Sequence, residues 1–188
     1  YGLLAAAFAL AGGSRRALAP TVVVLALGAA LAGGGARLEA FTSPCQEESA
    51  YFCIRLVDLE TGPGRATRVM VLDHLGHGIN ERDDAGLLLS PYIQFVDEIA
   101  RRRLGRLESA FFIGGGPYTL PRAWRRPGRE LLVAELDPTV TRAAIRHLWL
   151  DPRGLDIRHG DARAVLQGLP AERHFDVVFG DAFKDVSI

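Results

Sequence analysis

The stretch from Ala110 to Asp137 constrains the fold more than any other part of this 188-residue chain. It runs Ala110-Phe111-Phe112-Ile113, then Gly114-Gly115-Gly116-Pro117-Tyr118-Thr119, and later Leu131-Leu132-Val133-Ala134-Glu135-Leu136-Asp137. This is the pattern of an apolar strand, a glycine turn, a helix and a second strand that ends in an acid. Gly114 and Gly116, with Gly115 between them, fill the first two glycine positions of a nucleotide-binding turn. There the missing Cβ permits a sharp bend and a close approach of backbone N–H groups to a ligand. Thr119 stands where the third glycine would be. Glu135 follows at about 20 residues, the spacing at which a carboxylate at the tip of the second strand can accept both hydroxyls of a ribose. An ordinary strand-to-helix turn would use the same glycines, but the strand before them and the acid after them point to a nucleoside site.

The same alternation continues downstream. Asp137-Pro138 opens a helix through Leu148, Leu155-Asp156-Ile157-Arg158 is a third strand, and Gly160-Asp161-Ala162 starts a short helix to Leu169. Phe175-Asp176-Val177-Val178-Phe179 is a fourth strand ending at Gly180-Asp181. Strands alternating with helices at these spacings predict an α/β fold with a doubly wound parallel sheet, ordered third, second, first, fourth, with the fourth strand as an exposed edge. Such a sheet gathers its strand tips into one crevice, which would hold Gly114 to Gly116, Glu135, Asp161 and Asp181 together. Asp161, immediately before a helix, equally suits an N-cap, and Asp181 could cap the loop that follows it.

Upstream, Ser90 to Leu104 is predicted helical, with Ser90 as N-cap, Pro91 at the first helical position, and Tyr92, Phe95, Val96 and Ile99 along one face. Arg101, Arg102 and Arg103 fall in its last turn, where cations complement the helix dipole. Between residues 38 and 86 the pattern changes to short β segments. Tyr51 to Val57 and Arg68 to Leu72 are two of them, and Glu60-Thr61-Gly62-Pro63-Gly64 supplies the turn of a hairpin. His74 and His77 lack a third ligand at recognisable spacing, so they are read as turn or pocket residues and no metal is expected. Cys45 and Cys53 are near enough to pair, and the sequence leaves that open.

Residues 1–37 are expected to form one or more transmembrane segments. Tyr1 to Gly13 is apolar, Ser14-Arg15-Arg16 breaks the run, and Ala17 to Ala36 is uncharged for about 20 residues. A cleaved signal peptide is the competing reading. The side of the membrane taken by the remainder is not determined, because Arg15, Arg16 and Arg37 balance too closely. Both ends of the chain are expected to be cut from a longer protein. The 22 basic and 22 acidic residues cancel, so no basic field suggests a nucleic-acid partner.

These residues together resemble spermidine synthase-like aminopropyltransferases, most closely a membrane-fused type in which a spanning region precedes the synthase-like domain. The matching residues are Leu72-Asp73-His74, Tyr92, Ile113 to Gly116, Glu135-Leu136-Asp137, Asp151-Pro152-Arg153, Gly160-Asp161-Ala162, and Phe175 to Val178 with Asp181. The resemblance implies a β-hairpin region over 38–86 and a methyltransferase-type Rossmann domain over 87–188. It implies S-adenosylmethionine, or its decarboxylated form, as donor and a small-molecule amine as acceptor; a homodimer is an expectation for the assembly. By the same resemblance Glu135 holds the ribose, Asp161 the adenine amino group, and Asp181 the attacking amine.

The departures from that family fall on the acceptor side. The acid that should follow the third glycine is Pro117, a glutamine of the polyamine pocket is His77, and a glutamate after the tyrosine is Gln94. Tyr92, His77 and Gln94 are therefore the residues expected to shape an altered acceptor pocket. The expected activity is transfer of an aminopropyl group to an amine. The alternatives are an S-adenosylmethionine-dependent methyltransferase, and a non-catalytic nucleoside-binding or scaffold domain of a membrane transporter.

Overall fold

The computed structural model describes residues 15–37 and 42–182. The chain divides into two compact units, 1–43 and 44–188. Among the described residues of the first, helix α1 covers Arg15–Arg37. Its Val22, Val23, Val24, Leu27 and Leu31 are exposed. Among the described residues no helix is long and apolar enough to cross a membrane. The described residues therefore do not support the transmembrane expectation. Tyr1 to Gly13, the first apolar run, lies outside the described residues.

The second unit holds two four-stranded sheets. The antiparallel one has the order β1 (Glu47–Glu48), β2 (Cys53–Leu59), β3 (Thr67–Leu72), β4 (Leu75–Glu81). The predicted hairpin is there, with Ile54 opposite Leu72 and Leu59 opposite Thr67. Cys45 and Cys53 form a disulfide with their Cα atoms 5.3 Å apart, which settles what the sequence left open. Strand β4 was not foreseen. Its Leu-Gly-His-Gly start lacks the β-branched run that marks a strand, and glycine is weak there by itself. His77 thus sits in a strand and not in a turn.

The parallel sheet has the order β7 (Asp156–His159), β6 (Glu130–Glu135), β5 (Ser109–Ile113), β8 (Val177–Gly180), as predicted. Helices α2 (Pro91–Leu104), α3 (Thr119–Trp124), α4 (Pro138–His147) and α5 (Ala162–Gln167) lie between and before these strands. Helix α4 begins as its sequence demands, with the Asp137 carboxylate accepting from the Thr139 N–H at 2.8 Å and Pro138 in the first turn. Ala110, Phe112, Leu131 and Val133 point into one core with Ile54, Met70 and Leu72 of the antiparallel sheet. Phe111, Leu132 and Ala134 point to the other face, against Ala162, Val165 and Phe175. Burial on both faces of β5 and β6 explains why these strands are nearly continuous apolar runs. Each such large side chain contributes roughly 1.5 to 3 kcal/mol.

Helix α2 departs from the expected packing. Ser90 is its N-cap residue by backbone conformation, yet its side chain makes no cap hydrogen bond. The buried face carries Ile93, Asp97 and Ala100, while Tyr92, Phe95 and Ile99 stay exposed. Val96 and Leu104 pack on the core from that same face, and the indole N–H of buried Trp124 donates to Asp97 at 2.7 Å. An unpaired indole N–H would be costly at that depth.

Candidate functional site

The parallel ladder continues one step past each strand and so aligns the strand tips. Gly114 N–H donates to the Ala134 carbonyl, Asp181 N–H to Ile113, and Gly160 N–H to Glu135, each at 2.9 Å. Gly114, Glu135, Gly160-Asp161 and Asp181 are thereby set side by side on the carboxyl edge, where a doubly wound sheet takes its ligand.

The glycine turn requires its glycines. Gly114 has φ +91°, and a Cβ there would lie 2.5 Å from the Asp181 carbonyl oxygen. At Gly115 a Cβ would lie 2.5 Å from Cζ of Tyr118, whose ring is fully buried. The Tyr118 hydroxyl is 2.8 Å from Thr141 Oγ1, so the ring cannot retreat without breaking that bond. Burial pushes the Tyr118 phenol well above its usual pKa, with the nearby Glu135 charge acting in the same direction. Pro117 packs on β4 at Gly78, where a Cβ would meet the proline ring at 2.7 Å. Its carbonyl accepts from the Asn80 side-chain amide at 2.7 Å, and Asn80 Oδ1 accepts from the Thr119 hydroxyl at 2.9 Å. Asn80 therefore bolts the turn to the antiparallel sheet. Sequence reasoning missed it, because a lone asparagine carries no spacing signal.

Glu135 is 5% exposed, and its carboxylate is held by three backbone N–H groups. Gly115 and Gly116 donate to Oε2 at 2.7 and 3.2 Å, and Asp137 donates to Oε1 at 2.8 Å. The side chain is thus fixed under the turn before any ligand arrives. A carboxylate has about four lone-pair positions, so one at Oε1 is left for an outside donor.

Asp161 does cap α5: its carboxylate accepts from Arg163 N–H at 2.8 Å. That hydrogen bond is the main reason its pKa is held below the ordinary carboxylate value, with the Arg163 guanidinium adding to it. Capping does not remove it from the site, since Asp161, Glu135 and Asp181 line one cavity of about 610 Å³. The walls are mainly apolar, with Phe52, Leu72, Ile113, Ala134, Leu136 and Leu166 among them. Arg163 and His77 also reach it. Three carboxylates against one guanidinium favour a cationic ligand. Tyr51, Phe52 and Leu166 were not anticipated as wall residues, because their approach depends on how the hairpin lies over the strand tips.

Asp181 and His77 also line an adjoining cavity of about 240 Å³ with Tyr92, Leu75 and Gly76. The Tyr92 hydroxyl donates to Asp181 Oδ2. Burial first, and then this bond, push the phenol well above its usual pKa, so Tyr92 stays a proton donor at neutral pH. Gln94 behaves differently from expectation. Its amide donates to the Leu88 carbonyl at 2.6 Å, and it lines neither cavity. Among the described residues no group of three or more His, Cys, Asp or Glu side chains could hold a metal.

No protein-family model and no curated protein matches the chain. Solved structures do. A probable spermidine synthase from Corynebacterium glutamicum superposes with a TM-score of 0.61 at 20% identity, over 77% of this chain and 54% of that one. Spermidine synthase from Thermotoga maritima gives 0.53 at 20% identity, over 74% of this chain and 46% of that one. A spermidine synthase in complex with the transition-state analogue AdoDATO gives 0.51 at 18% identity, over 73% and 45%. The chain spans about half the length of these structures. With a hairpin sheet before a parallel sheet of order β7-β6-β5-β8 and a glycine turn after its first strand, the chain has a spermidine synthase-like fold.

Proposed function

We propose that the unit after Ser43 binds an adenosyl sulfonium compound and transfers its aminopropyl group to an amine. The observation that carries this reading is Glu135, pinned by three backbone N–H groups on the same rim as Asp161 and Asp181. The residues fit the donor. Glu135 keeps a lone pair for a ribose hydroxyl, Asp161 accepts from the adenine amino group, and Ile113, Ala134 and Leu166 flank the base. A cavity of about 610 Å³ falls in the range of small-molecule sites, roughly 300 to 1,000 Å³.

When bound, the donor supplies a carbon made electrophilic by the neighbouring sulfonium. The remaining work belongs to the chain. Asp181 accepts a hydrogen bond from the amine, directs its lone pair at that carbon, and takes the proton released as the C–N bond forms. The electrons of the breaking C–S bond return to sulfur, leaving a neutral thioether. Tyr92 holds the Asp181 carboxylate in position. His77 faces the amine, and among the described residues Asp181 is the one acid lining that smaller cavity. An acceptor with one ammonium suits it better than a polycation.

A second reading, methyl transfer from intact S-adenosylmethionine, is favoured by Pro117, which offers no acid to the donor's amino group. Calorimetric titration of the full chain with decarboxylated S-adenosylmethionine, S-adenosylmethionine and methylthioadenosine tests both. Aminopropyl transfer predicts tightest binding of the decarboxylated donor. Preference for the carboxylated donor would transfer the case to methylation, and binding of none of the three would leave a non-catalytic domain.

A further inference from the structure

A separate cavity of about 210 Å³ lies away from the strand-tip crevice. Its wall includes Asp97 and Arg101 of α2, Leu107, Trp124, Arg126 and Arg129. Leu107 stands two residues before β5 and Arg129 directly before β6, so this cavity is at the amino ends of the strands. The nucleoside crevice is at their carboxyl ends, on the order of 15 Å away for strands of this length.

Three guanidinium groups meet there. Arg129 is held by backbone carbonyls, its Nε donating to Leu107 at 2.7 Å and a terminal nitrogen to Trp124 at 2.6 Å. Neither contact neutralises its charge. The one acid in the wall, Asp97, is already engaged: one oxygen accepts from the Trp124 indole at 2.7 Å and the other pairs with Arg101 at 2.7 Å. The Arg126 guanidinium has no ion-pair partner among the described residues, and Glu108, which faces Arg129 from outside the wall, is paired with Arg106. Burial holds the Arg129 guanidinium below its ordinary pKa, and the neighbouring charges of Arg126 and Arg101 push it the same way. Arginine nonetheless stays charged, so the cavity keeps a surplus of positive charge.

We propose that this cavity is a binding site for a small oxyanion, either inorganic phosphate or the phosphate group of a small monoester. The forked donors of Arg126 and Arg129 match two edges of a tetrahedral oxyanion, and bidentate charge-assisted bonds are the strong form of this contact. The volume is too small for a nucleotide. The site is independent of the donor crevice and of the transferase reading.

The test is calorimetric titration of the full chain with sodium phosphate, with sodium chloride at equal ionic strength as reference, and with glycerol 1-phosphate. Wild-type protein should bind phosphate with a heat that chloride does not reproduce. Arg126→Gln, an exposed position that leaves the Arg129 and Asp97 contacts intact, should weaken phosphate about tenfold or more. Arg153→Gln, an exposed arginine elsewhere on the chain, should leave it unchanged. Tighter binding of the ester assigns the site to a phosphorylated small molecule, and tighter binding of phosphate assigns it to the free anion. Undiminished phosphate affinity in Arg126→Gln, or an equal response to chloride, overturns the proposal.

Discussion

The phenol of Tyr92, in the first turn of α2, donates to the carboxylate of Asp181, one residue beyond β8 and 89 positions along the chain. Two different parts of the fold fix the pair. Asp181 is set by its backbone bond to Ile113, and Tyr92 by the inward turn of Asp97 on the same helix. Among the described residues no backbone N–H donates to the Asp181 carboxylate. Asp181→Asn should keep nucleoside binding and lose turnover by about 100-fold or more. Tyr92→Phe should lose about tenfold, the worth of one hydrogen bond to a charged group. Thioether release and calorimetric affinity, measured on the same samples, check both, and an Asn variant with full turnover would end the catalytic assignment.

Glu135 has a structural duty besides its proposed ligand. Glutamine offers only one acceptor oxygen, so Glu135→Gln must confront at least one of the Gly115, Gly116 and Asp137 N–H groups with its own NH2. The variant should lose about 1 to 3 kcal/mol of stability and a comparable amount of adenosyl-ligand affinity. Denaturant melts and ligand titrations separate the two losses. Unchanged affinity in a destabilised protein would leave Glu135 with the structural role alone.

Asp176 gives a pH prediction away from the site. Its carboxylate accepts from the N–H groups of Glu108 and Ser109, both at 2.8 Å, at the start of β5. These bonds, that of Glu108 foremost, hold its pKa below the ordinary carboxylate value. A depressed folded value means the stabilisation is present above the unfolded pKa, about 3.9, and is lost as pH falls through the folded one. Asp176→Asn should therefore melt below wild type at pH 7, with the gap closing in acid. A gap that stays constant from pH 7 to pH 3 would refute the linkage.

Much of the parallel sheet was legible because its determinants are local. The runs at 110–113 and 131–134 are apolar on both faces, as strands covered on both sides must be, and Gly114 to Gly116 mark a turn that side chains would obstruct. Right-handed connections then leave few possible strand orders, and the tips of those strands name Glu135, Asp161 and Asp181.

Other features were decided only by tertiary contact. Strand β4 is stabilised by pairing with β3 and by Pro117 lying on Gly78, neither of which shows in the Leu-Gly-His-Gly sequence. The buried face of α2 is Ile93, Val96, Ala100 and Leu104 with Asp97 bonded to the Trp124 indole, and the Gln94 amide is bonded to the Leu88 carbonyl. Cys45 and Cys53 pair because β1 and β2 run antiparallel beside them. The reason is common to all of these. Periodicity records how often a side chain is buried, whereas a hydrogen bond from Asn80 to Pro117 or from Tyr92 to Asp181 depends on where distant segments meet, and nothing in either local sequence encodes that meeting.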